Sequence, residues 1–257
     1  MNESPQNIDT KINFSSNSFK KYFANTSWLF TEKIFRLLVS FIVTVLVIRY
    51  LGPAEFGLLS YAISFYGLFA TLSVLGLETI TIRELVKTPA QRDNLLGTVF
   101  ILRLIGAVGT IILIALTLLF SREDSFTSLL ILIISISLIF QSFNVVDYYF
   151  RAEVKAKYSV YVQFISVIIT SILKIILIII KAPLIYFAVV YSAEFIITAI
   201  GFTLVYKKVG LKLSPGKFKK SIALQLLKDS WPLILTGVVV SIYMKVDQVM
   251  IKNMLDA

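Results

Sequence analysis

Five cations and one acid stand where charge is costly. Arg36, Arg103, Lys174 and Lys245 interrupt apolar runs, Lys33 precedes Arg36 by three residues, and Glu194 falls near the middle of a further run. An ionisable side chain at mid-membrane costs about 2.5–3.5 kcal/mol on insertion scales. Arg103, Lys174 and Lys245 would together cost roughly 8–10 kcal/mol if they faced lipid, so they must face other helices or water. Spaced cations in a wet groove hold an anionic group by charge-assisted hydrogen bonds at successive depths. An acid near mid-span, as Glu194 is, suits coupling to a proton or a cation.

The neighbouring polar residues fall in register with these charges. At 100° per residue, Glu32, Arg36, Ser40 and Thr44 share one helix side. So do Ser137, Gln141, Asn144 and Tyr148, then Gln163, Ser166, Thr170 and Lys174, then Ser241, Lys245, Gln248 and Lys252. A purely structural bundle needs fewer polar seams, since small residues and packing suffice there. The seams predict a hydrated interior lined by Ser137, Gln141, Asn144, Gln163 and Thr170. Blander readings stand beside this one. Lys33 can snorkel to the inner surface and Lys174 to the outer one. Arg36 can simply pair with Glu32 at i, i+4. Glu78 or Asp147 can neutralise Arg103, and Glu194 can form a salt bridge with Lys174 or Arg103. Asp147 and Glu78 otherwise read as interfacial.

The elements that must position these residues are membrane spans. The 257 residues are 57% hydrophobic and only 16% charged, with a mean hydropathy of +0.85. A typical globular domain is about a quarter charged, so the composition fits a polytopic all-α membrane bundle. There is no Cys and no His. That excludes disulfides, thiolate metal sites, Cys nucleophiles and histidine bases. No nucleotide-binding loop is present, so neither ATP nor any other cofactor is expected. The first apolar run is full length without a small-residue cleavage site, which argues against a cleaved signal peptide.

Seven spans are expected, at about 28–48, 56–79, 94–120, 126–150, 158–180, 184–206 and 230–251, with Gly52-Pro53 as the first turn. Residues 1–24 read as a polar tail, 25–206 as a six-helix lobe, 207–229 as a basic amphipathic linker and 230–257 as a further spanning helix. Lys and Arg are divided sixteen to four between the two sets of loops, which places the N-terminus in the cytoplasm. The net charge of +10 therefore reads as a membrane-surface feature, not a nucleic-acid one. In the linker, Phe218, Ile222 and Leu226 recur at i, i+4, i+8 among Lys217, Lys219, Lys220 and Lys228. That pattern predicts a helix lying on anionic lipid, with a solvated connector as the alternative. At about 1.5 Å per residue, Arg36 and Arg103 lie about 13 Å in from the cytoplasmic end, and Lys174 and Lys245 about 22–24 Å in. Gly106 and Gly109 read as helix packing, and Asp247 as helix packing or lobe contact.

The stretch from Trp28 to Gly57 carries a resemblance. Trp28, Glu32, Lys33 and Arg36, then an apolar run, then Arg49, Tyr50, Leu51, Gly52, Pro53, Phe56 and Gly57 resemble the start of the prokaryotic polysaccharide flippases. These share a superfamily with the multidrug (MATE-type) exporters and the lipid II flippase. The resemblance implies two six-helix lobes facing a central cavity, with Ser27-Trp28 and Ser230-Trp231 opening the parallel repeats. The chain reaches only the first helix of the second lobe, so a fragment or a truncated product is expected. It further implies transport of lipid-linked oligosaccharide diphosphates across the cytoplasmic membrane of a prokaryote. Arg36, Arg103 and Lys174 would contact the diphosphate or anionic sugars, with Lys33 and Lys245 as weaker candidates and Glu194 for ion coupling. A polysaccharide polymerase and glycosyltransferases are the implied protein partners. The rivals are a MATE-type cation or drug antiporter, which calls for more acids than cations in the cavity, and a non-transporting membrane subunit. A glycan-assembly enzyme would need a large extracytoplasmic loop, and the outer loops are a few residues long.

Overall fold

The computed structural model describes residues 16–121 and 123–255, apart from the side chains at 16–19, 21, 247–249 and 251–255. Among the described residues there is no strand. Six helical segments are long and apolar enough to cross a membrane.

The first such segment, Tyr22–Lys87, has 66 residues. A straight helix of that length would reach about 100 Å, three times the hydrocarbon thickness, so it has to fold back. It does so at Gly52. Within α1 (Ser16–Val74), Gly52 leaves helical geometry at φ 75° and ψ 174°, a conformation essentially reserved for glycine, and Pro53 follows. Val43 and Val47 before the turn share one apolar core with Leu59, Ala62 and Phe65 after it. The expected turn is thus present, and α1 supplies two crossings. A second break at Leu75 and Gly76, both at positive φ, re-aims the chain into α2 (Leu77–Lys87). Gly76 is required here twice over, since a Cβ on it would meet Leu233 Cβ at 2.8 Å.

α3 (Arg92–Phe120) matches the expected third span, as α7 (Ala156–Ile179) and α8 (Leu184–Lys208) match the fifth and sixth. The fourth is less regular. α4 (Ser125–Ser135) is capped by Asp124, whose carboxylate accepts from the Phe126 and Thr127 amides, both at 3.1 Å. It continues through the short α5 (Ser137–Gln141) and a 3-10 turn at Ser142–Asn144 into α6 (Val145–Ala152). Mid-helix 3-10 geometry re-aims side chains without ending the span. Here it lies between Gln141 and the Asp147–Arg151 turn.

Two expectations change. The part of the polar tail from Ser16 onward belongs to the first helix, and Asn25 accepts a 2.7 Å hydrogen bond from the Ala156 amide at the start of α7. The linker helix and the seventh span are one helix, α9 (Lys220–Leu255), preceded by a 3-10 turn at Pro215–Lys217. The expected stripe is divided: Phe218 precedes the helix and is exposed, whereas the part of the stripe within α9 packs against the lobe. Leu226 is 2% exposed and packs with Ala223 among Leu96, Phe150 and Tyr206. Lys217 pairs with Asp93 at 2.8 Å and Arg83 with Asp229 at 3.1 Å, which ties both sides of the α9 start to the bundle. Ala223 and Leu226 are buried against the core while Leu224, Gln225 and Lys228 stay exposed on the other side, so the apolar stripe is removed from water by protein contact.

Further along, α9 packs on the second limb of α1 through small residues. A Cβ on Gly237 would meet Thr71 Cγ2 at 2.6 Å, and Ser241 Oγ donates to Gly67 O at 2.9 Å. Gly106 packs as expected, 3.0 Å from Ser73 O for an added Cβ, whereas Gly109 has open space. Two apolar clusters form the core. One, around Leu77, Val99, Phe150 and Phe202, lies toward the basic loops, and the other, around Ala62, Ile114, Ile134 and Phe187, lies toward the Gly52 turn.

Candidate functional site

A cavity of ≈ 270 Å³ opens in the half of the bundle nearer the basic loops. It gathers Arg36 from α1, Arg103 from α3, Gln141 and Asn144 from the irregular fourth span, Gln163 from α7 and Glu194 from α8. These are six of the eleven site residues expected from sequence. It also takes Glu78, Asp147, Tyr148 and Arg151.

Arg36 is the hub. Its Nε donates to Glu32 Oε1 at 2.8 Å, its Nη1 to Glu194 Oε1 at 2.8 Å, and its Nη2 to Gln163 Oε1 at 3.4 Å. The Glu32 pair at i, i+4 is therefore present, but as one arm of a three-way clamp. Glu194 binds Arg36, not Lys174 or Arg103. A second clamp lies beside it, where Arg151 pairs with Glu78 and with Asp147, each at 2.7 Å. Those two acids were the expected neutralisers of Arg103, and they are committed elsewhere.

Arg103 is 2% exposed and has no acid within 4 Å among the described residues. It donates to the Tyr148 hydroxyl and lies over that ring, 5.6 Å from its centroid. Its Nε has no hydrogen-bond partner. Gln141 and Ser137 both donate to the Tyr66 hydroxyl, which fixes the fourth span against the second limb of α1.

The expected ladder of free cations is thus corrected. Three arginines meet three acids at the cavity surface, so its formal charge balances, because the half-buried Arg36 and Arg151 each pair with carboxylates that offset their desolvation. Ser137 is fully buried on Tyr66, and Thr170 donates to Ser166 O at 2.9 Å, so neither lines the cavity. Ser166 in turn donates to Glu194 O at 2.9 Å and locks α7 to α8. Lys33 is exposed and outside the cavity. The Lys245 side chain lies along Gly67, where an added Cβ would sit 3.7 Å from Cε. The side chains of Gln248, Lys252 and Asp247 lie outside the described residues. Lys174 lines a second cavity, taken up below.

Sequence reasoning missed Arg151, counted as a loop charge, and took Glu78 and Asp147 as interfacial. The Asp147/Arg151 spacing of four was the available signal.

A polytopic α-helical membrane protein with a charged interior cavity is the class that fold and site define. Residues 22–257 match the family of polysaccharide biosynthesis proteins, and the chain belongs to that family. No curated protein and no solved structure matches it significantly.

Proposed function

We propose that this chain acts in moving a lipid-linked oligosaccharide diphosphate across the cytoplasmic membrane of a prokaryote, N-terminus inside, as a transporter and not an enzyme. The observation that carries the reading is Arg103, a buried guanidinium with no acid within 4 Å, facing a cavity sized for a headgroup. A cavity of ≈ 270 Å³ lies below the ~300–1,000 Å³ of drug-sized sites, so it takes a diphosphate and not a whole glycan. Arg103 supplies the permanent attraction and Arg36 a conditional one. A diphosphate taking the Arg36 fork displaces Glu194, and the released carboxylate then needs another cation, a proton or a metal ion. Cargo binding and ion uptake are linked by competition for one guanidinium. The basic start of α9 and its exposed lysines suit contact with anionic lipid headgroups. Polymerase and glycosyltransferases are the protein partners this role requires.

The test is glycan export by cells carrying single variants, normalised to membrane abundance. Arg103→Ala is expected to reduce export at least about tenfold, the scale of one lost charge-assisted contact. Normal export by both Arg103→Ala and Arg36→Ala would end this reading.

A second reading has its own support. Asp147 Oδ1 is buried without a hydrogen-bond partner, which suits an organic cation and an antiporter, although the cavity acids only equal its arginines in number. That reading expects Asp147→Asn to abolish transport and Arg103→Ala to spare it.

A further inference from the structure

The second cavity, ≈ 250 Å³, lies in the half of the bundle near the Gly52 turn. Its walls are Val43, Val47, Phe56, Leu59, Ile63 and Phe187, and its polar groups are Lys174, Thr44, Ser60 and Tyr191. No side-chain hydrogen bond or ion pair joins any of these four groups to another described residue. The ammonium feels Glu194 only at longer range. An ammonium held away from bulk water with no acid beside it is a site prepared for an anion.

The chemistry of that anion follows from the lining. One ammonium matches one negative charge, whereas a diphosphate would be left under-compensated, and phosphate recognition favours the guanidinium fork. Three unengaged hydroxyls offer both donors and acceptors, which suits a hydroxyl-bearing ligand. Phe56, Phe187 and Tyr191 supply flat apolar faces of the kind that pack on the C–H face of a sugar ring. The volume admits a single ring and little more. The two cavities are also in line. Glu194 and Tyr191 are one turn apart on α8, and Arg36 and Thr44 are about 12 Å apart along α1.

We infer that the Lys174 cavity binds a carboxylate-bearing sugar unit, a hexuronate or its like, a short distance along the glycan from the diphosphate held at Arg103. This names the cargo class and rests on the reading above, but its test does not need transport. The full chain in lipid nanodiscs is presented with methyl α-glucuronide or methyl α-glucoside, and binding is read by saturation-transfer NMR. Wild-type protein is expected to bind the glucuronide about tenfold more tightly, the worth of one charged hydrogen bond. Lys174→Gln should erase the preference, Lys174→Arg should keep it in part, and Arg103→Gln should leave it intact. Equal binding of the two glycosides, or a preference that survives Lys174→Gln, overturns the proposal. If Arg103→Ala and Arg36→Ala both export normally yet the glucuronide still needs Lys174, the diphosphate reading fails and the acidic-sugar site stands. If Lys174→Gln and Arg103→Gln both abolish binding, the site is not separate and the proposal fails. A thermal melt of each variant separates loss of binding from loss of fold.

Discussion

Around Arg103, three guanidinium groups meet three carboxylates, and two of those groups are engaged in ion pairs of 2.7–2.8 Å. Around Lys174, one ammonium faces three hydroxyls and no carboxylate within salt-bridge distance. Both cavities draw on α1, α7 and α8, the first also on α2, α3 and the fourth span, and one is internally compensated while the other is not. The difference teaches where stability and where binding reside. A compensated network holds helices together and releases a charge only by exchange, whereas an uncompensated ion contributes little to the fold and is available to a ligand.

The contrast can be broken most sharply at Arg151. Arg151→Ala leaves Glu78 and the buried Asp147 without their shared cation and is expected to destabilise by about 3 kcal/mol, read as a lowered melting temperature in detergent. Arg36→Ala should cost less, about 2 kcal/mol, because the Glu194 carboxylate it releases is 22% exposed and partly solvated, whereas Asp147 is only 6% exposed. Combining Arg36→Gln with Glu194→Gln should recover at least half of the single-variant losses in a double-mutant cycle, since neither charge is then left alone. Additive losses would mean that the pair is not a unit. The smallest effect is expected in the other cavity, where Lys174→Met should leave the melting temperature unchanged or raise stability by about 1 kcal/mol. A loss of 2 kcal/mol there would show Lys174 to be structural and erase the distinction.

Much of the fold was legible because the bilayer constrains it. Apolar runs of twenty or more residues, and Gly52-Pro53 between two of them, each have a single physical reading. Three of the polar seams share residues of one cavity, since helical spacing put Arg36, Gln141, Asn144 and Gln163 on faces that meet there, while Glu194 stood out only by its mid-span depth. Pairing was not legible. Arg36 and Glu194 are 158 residues apart, and no local pattern announces which of several acids reaches which guanidinium. The acids were in view, but Glu194 was matched to Lys174 or Arg103 and Glu78 and Asp147 to Arg103, whereas they reach Arg36 and Arg151. The start of α9 was misread for a related reason. Its i, i+4, i+8 stripe reports an apolar face, and a stripe carries no information on whether lipid or protein covers it.

Because α9 stays helical from Lys220 to Leu255, with Ala223 and Leu226 anchored in the lobe, it behaves as a stiff lever. From Leu226 to Leu255 is about 43 Å, so a tilt of about 5° at the anchored base swings the far tip by about 4 Å. Such a tilt would carry the second limb of α1 with it, because α9 is packed on Thr71 and Gly67 through Gly237 and Ser241.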